Sequence, residues 1–395
     1  MKQPVKIAYY ISHPIQYFSP LFRKMSGQLD LTVYYFSDAS VSGGIDKGFG
    51  KTVQWDIPLL QGYKSVFLKN WSGRASMDNG FLDAVNPSVF STLWKDKASI
   101  VIVNGWSYSS TWMAIIGAKL MGKKVWLRAE SPLNQEMRKS KKLLFFKKIL
   151  LGKFLFSLFI DKCLYIGTES KKFFTYYGVK DKHLLFTPYA VDNEYFRNAL
   201  PANKSMTELR QAQGLPTEKK IILFTGKFIA KKRPLDLIRA FSLLKNTNSV
   251  LVMVGEGELR NEMEELIRQE KLTNIILTGF VNQGAIPIYY KVADVFVMCS
   301  GMGETWGLAV NEAMSFNKPI IVSDTCGCQS DLVKDGVNGF VFREGDVSEL
   351  ALRLEKILGD DLLKEQMGLA SGSIIENFTI DTIVQNIKKE LQQPG

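Results

Sequence analysis

Short apolar runs alternate with stretches suited to helices along nearly the whole chain, and this alternation narrows its possible folds more than any other feature. In the first half the runs are Val5 to Ile11, Leu31 to Phe36, Ile100 to Val103, Lys124 to Leu127, Cys163 to Ile166 and Leu184 to Phe186. In the second they are Ile221 to Phe224, Val250 to Val254, Ile275 to Leu277, Val295 to Met298, Pro319 to Val322 and Gly339 to Val341. Helical stretches such as Leu235 to Lys245, Gly257 to Gln269 and Leu308 to Phe316 lie between many of them. Strand and helix in alternation predict an α/β protein of parallel sheets with crossover helices, built twice over. At 395 residues the chain exceeds what one core usually serves, which agrees with two domains. The polar, punctuated stretch Asp192-Asn-Glu-Tyr-Phe-Arg-Asn-Ala-Leu-Pro-Ala-Asn-Lys-Ser marks the junction, with a new strand starting just after Lys220. This sets a first domain at 1–200, a second at 201–380 and a last helix within 381–395.

Hydrophobic residues make up 46% of the chain and charged residues 23%, so no long span is expected to be disordered. No run approaches the ~18 apolar residues a membrane helix needs. The stretch Met1 to Pro14 has too short an apolar run for a signal peptide and reads as a first strand ending at a loop, so a cytoplasmic location is expected. Four cysteines, Cys163, Cys299, Cys326 and Cys328, are too few and scattered for a disulfide framework. Cys326-Gly-Cys328 suggests a metal or redox pair in isolation. With only two histidines and no second cysteine pair, reduced thiols in a loop are the preferred reading.

Charge divides unevenly. Residues 1–200 hold 28 basic and 14 acidic side chains, and residues 201–395 hold 22 and 25. A basic domain suits nucleic acid, anionic lipid or a phosphate-bearing substrate, and no nucleic-acid module accompanies this one. The excess is densest from Arg138 to Lys162, where lysines interleave with Leu and Phe. That composition fits a helix at an anionic membrane surface. Against it, Lys141, Lys142, Lys147, Lys148 and Lys153 do not collect on one face at α-helical spacing, which equally fits a helix packed on a sheet with lysines at its edges.

The segment richest in chemistry is 301–316, where Glu304 and Glu312 stand eight residues apart. A helix spanning both would point them to one side. Gly307 comes early in the segment, where a helix start offers free backbone N–H groups and a positive dipole end for phosphate. Upstream, Phe224-Thr-Gly226-Lys227-Phe-Ile-Ala-Lys-Lys232 carries a strand, a glycine and two lysines five residues apart.

These residues resemble the retaining GT-B glycosyltransferases of family four, whose signature is a glutamate, seven residues and a second glutamate, written here Glu304-Thr-Trp-Gly-Leu-Ala-Val-Asn-Glu312. Lys318-Pro-Ile-Ile-Val-Ser-Asp324 and Asp335-Gly-Val-Asn-Gly-Phe-Val341 are similar to the strand and turn that follow it. The resemblance covers the second half well and the first half loosely. It implies a GT-B fold of two Rossmann-like domains with parallel sheets facing a central cleft, the donor held mainly by the second domain, and a last helix crossing back to the first.

The implied activity is transfer of a hexose, with retention, from a nucleotide-diphosphate sugar (UDP-linked) to a glycan or lipid-linked glycan acceptor in surface polysaccharide synthesis. The location would be cytoplasmic, at the inner face of the membrane if the basic stretch meets lipid. A leaving nucleoside diphosphate needs its charge stabilised. No Asp-x-Asp element is present to hold a divalent ion, so Lys227 and Lys232, aided by the N–H groups near Gly307 and Leu308, are assigned that task, with no metal and no other cofactor expected. The resemblance gives Glu312 to the ribose hydroxyls and Glu304 to the donor hexose, within a donor site that also takes in Gly226, Thr305 and Trp306. Val254-Gly255 and Phe280-Val281, at strand ends, would frame the base.

The first domain departs from the family, with Ser12-His13-Pro14-Ile-Gln16 in place of a glycine-rich loop and Leu127-Arg128-Ala-Glu130 in place of a cleft histidine. His13, Gln16, Arg128 and Glu130 are the acceptor-side candidates, each with an equally good structural reading. Rival functions are a GT-B sugar-nucleotide epimerase, a phosphorylase, and a non-catalytic carbohydrate-binding protein of the same fold.

Overall fold

The computed structural model describes residues 5–38, 40–41, 45–46, 51–52, 55–73, 77, 80–201, 203–245 and 248–393. Residues 1–4 of the N-terminal stretch, and Ala202 of the polar junction, lie outside them. The strands in chain order are β1 (Lys6–Ile11), β2 (Asp30–Tyr35), β3 (Ile45–Asp46), β4 (Lys51–Thr52), β5 (Lys64–Phe67), β6 (Ile100–Asn104), β7 (Lys124–Ala129), β8 (Lys162–Tyr165) and β9 (Leu184–Phe186). They continue with β10 (Lys220–Thr225), β11 (Ser249–Val254), β12 (Ile275–Gly279), β13 (Val295–Met298), β14 (Ile320–Ser323) and β15 (Gly339–Phe342).

Seven strands form one sheet in the order β5-β2-β1-β6-β7-β8-β9, and six form a second in the order β12-β11-β10-β13-β14-β15. All neighbours within each are parallel. Helices on both faces remove these strands from water, which is why they read as continuous apolar runs rather than as alternating ones. Every residue of β11, Ser-Val-Leu-Val-Met-Val, is buried. Each sheet has its own core: Tyr10, Tyr34, Val103, Phe173 and Tyr177 belong to one, and Phe224, Leu237, Leu251, Met253 and Leu354 to the other. In each the strand order reverses once, between β1 and β6 and between β10 and β13. Crossovers leave in opposite directions at that point and open a crevice at the carboxyl ends of the strands.

The contacts divide the chain into two compact units, one of Met1–Gly44, Ile57–Tyr189 and Ile380–Gly395, the other of Ile45–Asp56 and Ala190–Thr379. The first part of the polar junction packs on the second unit. Asp192 caps a helix over Asn193–Asn198, Phe196 is buried with its ring 6.4 Å from Tyr290, and Ser315 Oγ donates to Asn193 Oδ1 at 3.0 Å. The helix Ile380–Gln392 packs on the first unit, where Asn386 Nδ2 donates to Phe186 O and Lys162 pairs with Glu390 at 2.6 Å.

Three strands have no counterpart in the sequence reading. Lys64-Ser-Val-Phe67 is an edge strand with exposed ends, too polar to stand out, and β3 and β4 are a two-residue antiparallel pair. The basic stretch also departs from a uniform α-helix. It runs α-helical over Lys141–Lys147, π-helical over Lys148–Phe156, and α-helical again over Ser157–Phe159. Gly152 sits inside the π segment, where an added Cβ would fall 2.5 Å from Tyr177 O, so the backbone itself presses on its neighbour.

Candidate donor site

At the strand-order reversal of the second sheet one of the predicted lysines, Lys232, meets one of the predicted glutamates, Glu304. β10 ends at Thr225 and is followed by Gly226 and Lys227, both half-buried. The chain then makes a single 3-10 turn over Ala230–Lys232. β13 ends at Met298 and leads through Ser300 to Glu304. Lys232 Nζ and Glu304 Oε2 form a close ion pair, and Ser300 Oγ donates to the same oxygen at 3.2 Å. The two loops are pinned backbone to backbone by Gly301 N–H donating to Lys231 O at 2.8 Å. Arg233 completes the turn in the left-handed region at φ 50°, with its Nε donating to Asp236 Oδ2 at 2.6 Å.

Electrostatics in this corner favour charge. Burial works against both partners, yet the Glu304 carboxylate holds the Lys232 ammonium above its usual range, and Lys232 with Lys231 holds Glu304 below the usual carboxylate range. The pair is thus ionised through neutral pH.

Glycines let the strand-end loops stack. At Gly255 an added Cβ would fall 1.9 Å from Gly226 O, and at Gly257 it would fall 2.5 Å from Phe228 O. Gly226 N–H donates to Val254 O and Gly255 N–H to Gly279 O, so the ends of β10, β11 and β12 form one layer. Val254 is buried in it, while Phe280 and Val281 are half-buried just beyond. The Phe280 ring meets Trp55, centroids 6.3 Å apart, and Asp56 Oδ2 accepts from Gly284 N–H at 3.0 Å. Trp55 and Asp56 had no signal in the sequence, since they come from a segment far upstream.

The helix read over Leu308 to Phe316 is present, and no single helix spans both glutamates. The helix of the glutamate segment covers only Leu308–Met314, so Glu312 is on it and Glu304 lies in the loop before it. Gly307 breaks the run at φ 106°, where an added Cβ would meet Met298 Sδ at 2.6 Å. The glutamates are therefore presented by different backbone elements. The first N–H groups of a helix have no acceptor within it, and here they follow Gly307 directly. Leu308 and Thr305 are half-buried. Trp306 is buried and donates from Nε1 to Asn311 Oδ1 at 2.8 Å.

Glu312 is buried as well, and Tyr290 OH donates to its Oε2 at 2.5 Å. The same hydroxyl lies 2.6 Å from Thr225 Oγ1. Tyr290 thus connects the end of β10 to the helix, a role nothing in its sequence neighbourhood announces. The loop after β14 supports the segment from beneath: Gly327 N–H donates to Glu304 O, Cys328 N–H to Trp306 O, and an added Cβ at Gly327 would fall 1.8 Å from Thr305 O. Cys326 and Cys328 are free thiols with Sγ atoms 3.8 Å apart. Among the described residues no three or more His, Cys, Asp or Glu side chains gather as a set that could hold a metal ion.

The acceptor-side candidates lie in the first unit, at the ends of its central strands. His13 and Gln16 follow β1 and are half-buried. Arg128 lies in β7, buried, with its guanidinium 4.8 Å from the ring centroids of both Phe18 and Tyr189 and its Nη1 3.5 Å from Glu130 Oε1. That cation between two rings ties β7 to the first helix and to the end of the unit.

Residues 205–372 match the family described as glycosyl transferases group 1. The chain is 30% identical over 207 residues to the UDP-Gal:alpha-D-GlcNAc-diphosphoundecaprenol alpha-1,3-galactosyltransferase of Escherichia coli, covering 51% of this chain and 52% of that protein. It is 29% identical over 163 residues to the alpha-D-kanosaminyltransferase of Streptomyces kanamyceticus, covering 40% and 42%. The chain thus spans about half the length of these relatives. Among solved structures, Anabaena HepE in complex with UDP superposes with a TM-score of 0.76 at 17% identity, over 98% of this chain and 99% of that one. At that identity the likeness is one of fold, which is GT-B.

Proposed function

Since residues 205–372 belong to the glycosyl transferases group 1 and the two parallel sheets have the GT-B fold, we propose that this protein is a retaining glycosyltransferase that moves a hexose from a UDP-linked sugar to a glycan or lipid-linked glycan, without a metal, at the inner face of a membrane. The observation that carries this reading is the meeting of Lys232 and Glu304 at the strand-order reversal of the second sheet, with Glu312 on the helix that follows.

The donor diphosphate would lie against Lys227, Lys232 and the N–H groups after Gly307. Two lysines and a helix start supply fixed positive charge where the leaving group becomes more negative. Glu312 would accept from both ribose hydroxyls, which a carboxylate can do with its two oxygens. Glu304, now paired with Lys232, would turn to the hexose hydroxyls as the diphosphate draws the ammonium toward itself. The bond from the anomeric carbon to the phosphate oxygen then breaks. The acceptor oxygen bonds to that carbon on the same face, and its proton passes to the departing phosphate. UDP-binding relatives and the Escherichia coli galactosyltransferase support the nucleotide and the acceptor class.

A panel of nucleotide sugars tested by thermal shift, followed by release of nucleoside diphosphate on adding acceptor glycans, tests the proposal. A ligand at ~100 times its dissociation constant adds about 2.7 kcal/mol of stability. Stabilisation by UDP-sugars with turnover unaffected by chelator is the expected result. Inversion at the anomeric carbon of the product would refute retention.

A further inference from the structure

The segment Lys141–Phe159 has two faces that sequence spacing could not separate. Leu151, Leu155 and Phe156 are buried in the first core and Leu144 is buried beside them in the sequence, with Gly152 pressed against the Tyr177 backbone. The opposite face exposes Phe145, Phe146, Ile149, Leu150, Phe154 and Leu158, each between 42 and 66% accessible. So many large apolar side chains on consecutive turns exceed the scatter of single exposed residues normal for a protein surface. Lys141, Lys142, Lys148 and Lys153 are exposed among them. From Arg138 to Ile160 there are seven basic side chains and no acidic one.

The fifth lysine of the cluster behaves differently. Lys147 is half-buried and turns inward to Glu136, which also receives Lys139 and the Tyr177 hydroxyl. That network anchors the segment, and the change from α- to π-helical winding at Lys148 resets the register, so the four outer lysines share the surface with the apolar residues.

We propose that this face is a docking surface for an anionic lipid bilayer, with the phenylalanines and leucines entering the headgroup boundary and the four lysines meeting phosphate. Charge chooses this occupant over a second copy of the chain, because two such faces would set eight lysines against one another with no carboxylate between Arg138 and Ile160 to offset them. Lysine stems extend along apolar surface while the ammonium stays in water, which suits the interleaving. The proposal rests on the lipid-linked acceptor reading for its purpose and on the exposed face for its physics. It names the partner of the first unit.

Co-sedimentation of the full chain with vesicles of phosphatidylglycerol and phosphatidylcholine, at low and high salt, tests it. Binding is expected to the mixed vesicles at low salt, to fall at high salt, and to be weak with phosphatidylcholine alone. Exchange of Lys141, Lys142, Lys148 and Lys153 for glutamine should weaken partitioning by on the order of 100-fold or more, since each lysine near the surface contributes about fivefold. Phe146→Ser with Leu150→Ser should weaken it at both salt concentrations, and circular dichroism checks that both variants fold. Absence of wild-type binding at low salt, binding indifferent to the lysines, or self-association through this face in sedimentation equilibrium would each overturn the proposal. Calorimetry with UDP on the same preparations separates the two readings, because loss of vesicle binding with UDP binding intact removes the docking surface and leaves the donor site standing.

Discussion

Lys232 and Glu304, 72 positions apart in the chain, neutralise each other inside the second unit, so neither can be removed without stranding the other. Breaking a buried pair from one side costs about 3–5 kcal/mol. Lys232→Ala is therefore expected to lower both turnover, on the order of 100-fold, and thermal stability. Adding Glu304→Gln should recover most of the stability and none of the turnover. Melting curves of the two single variants and the double variant check this, and strictly additive losses would contradict the pairing.

The same pair fixes a pH window. The folded pKa of Glu304 lies below its ordinary 4.5, so its contribution is full above that value and is lost as pH falls through the lowered one. The folded pKa of Lys232 lies above 10.5, so its contribution is full below that value and is lost as pH rises through the raised one. Stability supplied by the pair should be level from pH 4.5 to 10.5. Urea titrations of wild type against the double variant should show a constant gap across that range, narrowing only outside it.

Tyr290 holds Glu312 in place, which predicts a binding phenotype for a residue remote from the glutamate signature. Tyr290→Phe removes a buried donor and should cost about 1–3 kcal/mol of stability. It should also weaken UDP binding, less than Glu312→Ala does. Calorimetry ranks the three proteins, and wild-type affinity in both variants would refute the ribose assignment.

Gly255→Ala should be far more damaging than a methyl group suggests, because the new Cβ meets Gly226 O. A carbonyl of the adjacent strand-end loop cannot rotate away as a side chain would. The layer must open, and Lys227 moves with it. Loss of UDP binding with the fold largely retained is the expected outcome, read by calorimetry and circular dichroism. Near wild-type binding would show that this layer does not set the position of the lysines.

Adjacent lysines in the first unit should behave oppositely. Lys147→Ala removes a partner from buried Glu136 and is expected to cost about 1–3 kcal/mol. Lys148→Ala should stay within about 0.5 kcal/mol, as exposed positions usually do. Chemical denaturation distinguishes them.

The sheets were legible because strands buried on both faces must be apolar throughout, and Ile100-Val-Ile-Val or Val250-Leu-Val-Met-Val admits few other readings. Lys232, Glu304 and Glu312 were singled out by their likeness to the family's lysine pair and glutamate signature, and the structure brings the first two into contact. The helix after Glu304 was legible as Leu308 to Phe316, against Leu308–Met314 in the structure, while the left-handed backbone at Gly307 that starts it there was not. Ser300, Tyr290 and Gly327 were invisible because their roles arise from contacts between strand ends distant in sequence. The inward turn of Lys147 depends on Glu136 and Tyr177, and α-helical periodicity failed beyond it because the winding changes at Lys148.

The allocation of chain segments has a bearing on how the protein is made. Residues 45–56 belong with the second unit, and the helix Ile380–Gln392, synthesised after all of that unit, packs on the first. On the ribosome the first sheet would wait, one helix short, while the second is translated, with the backs of β8 and β9 exposed where Glu390 and Asn386 will bind. Neither unit can be cut out as one uninterrupted piece of the chain, and a stop before Ile380 would strip the first sheet of part of its cover while leaving every donor-site side chain encoded.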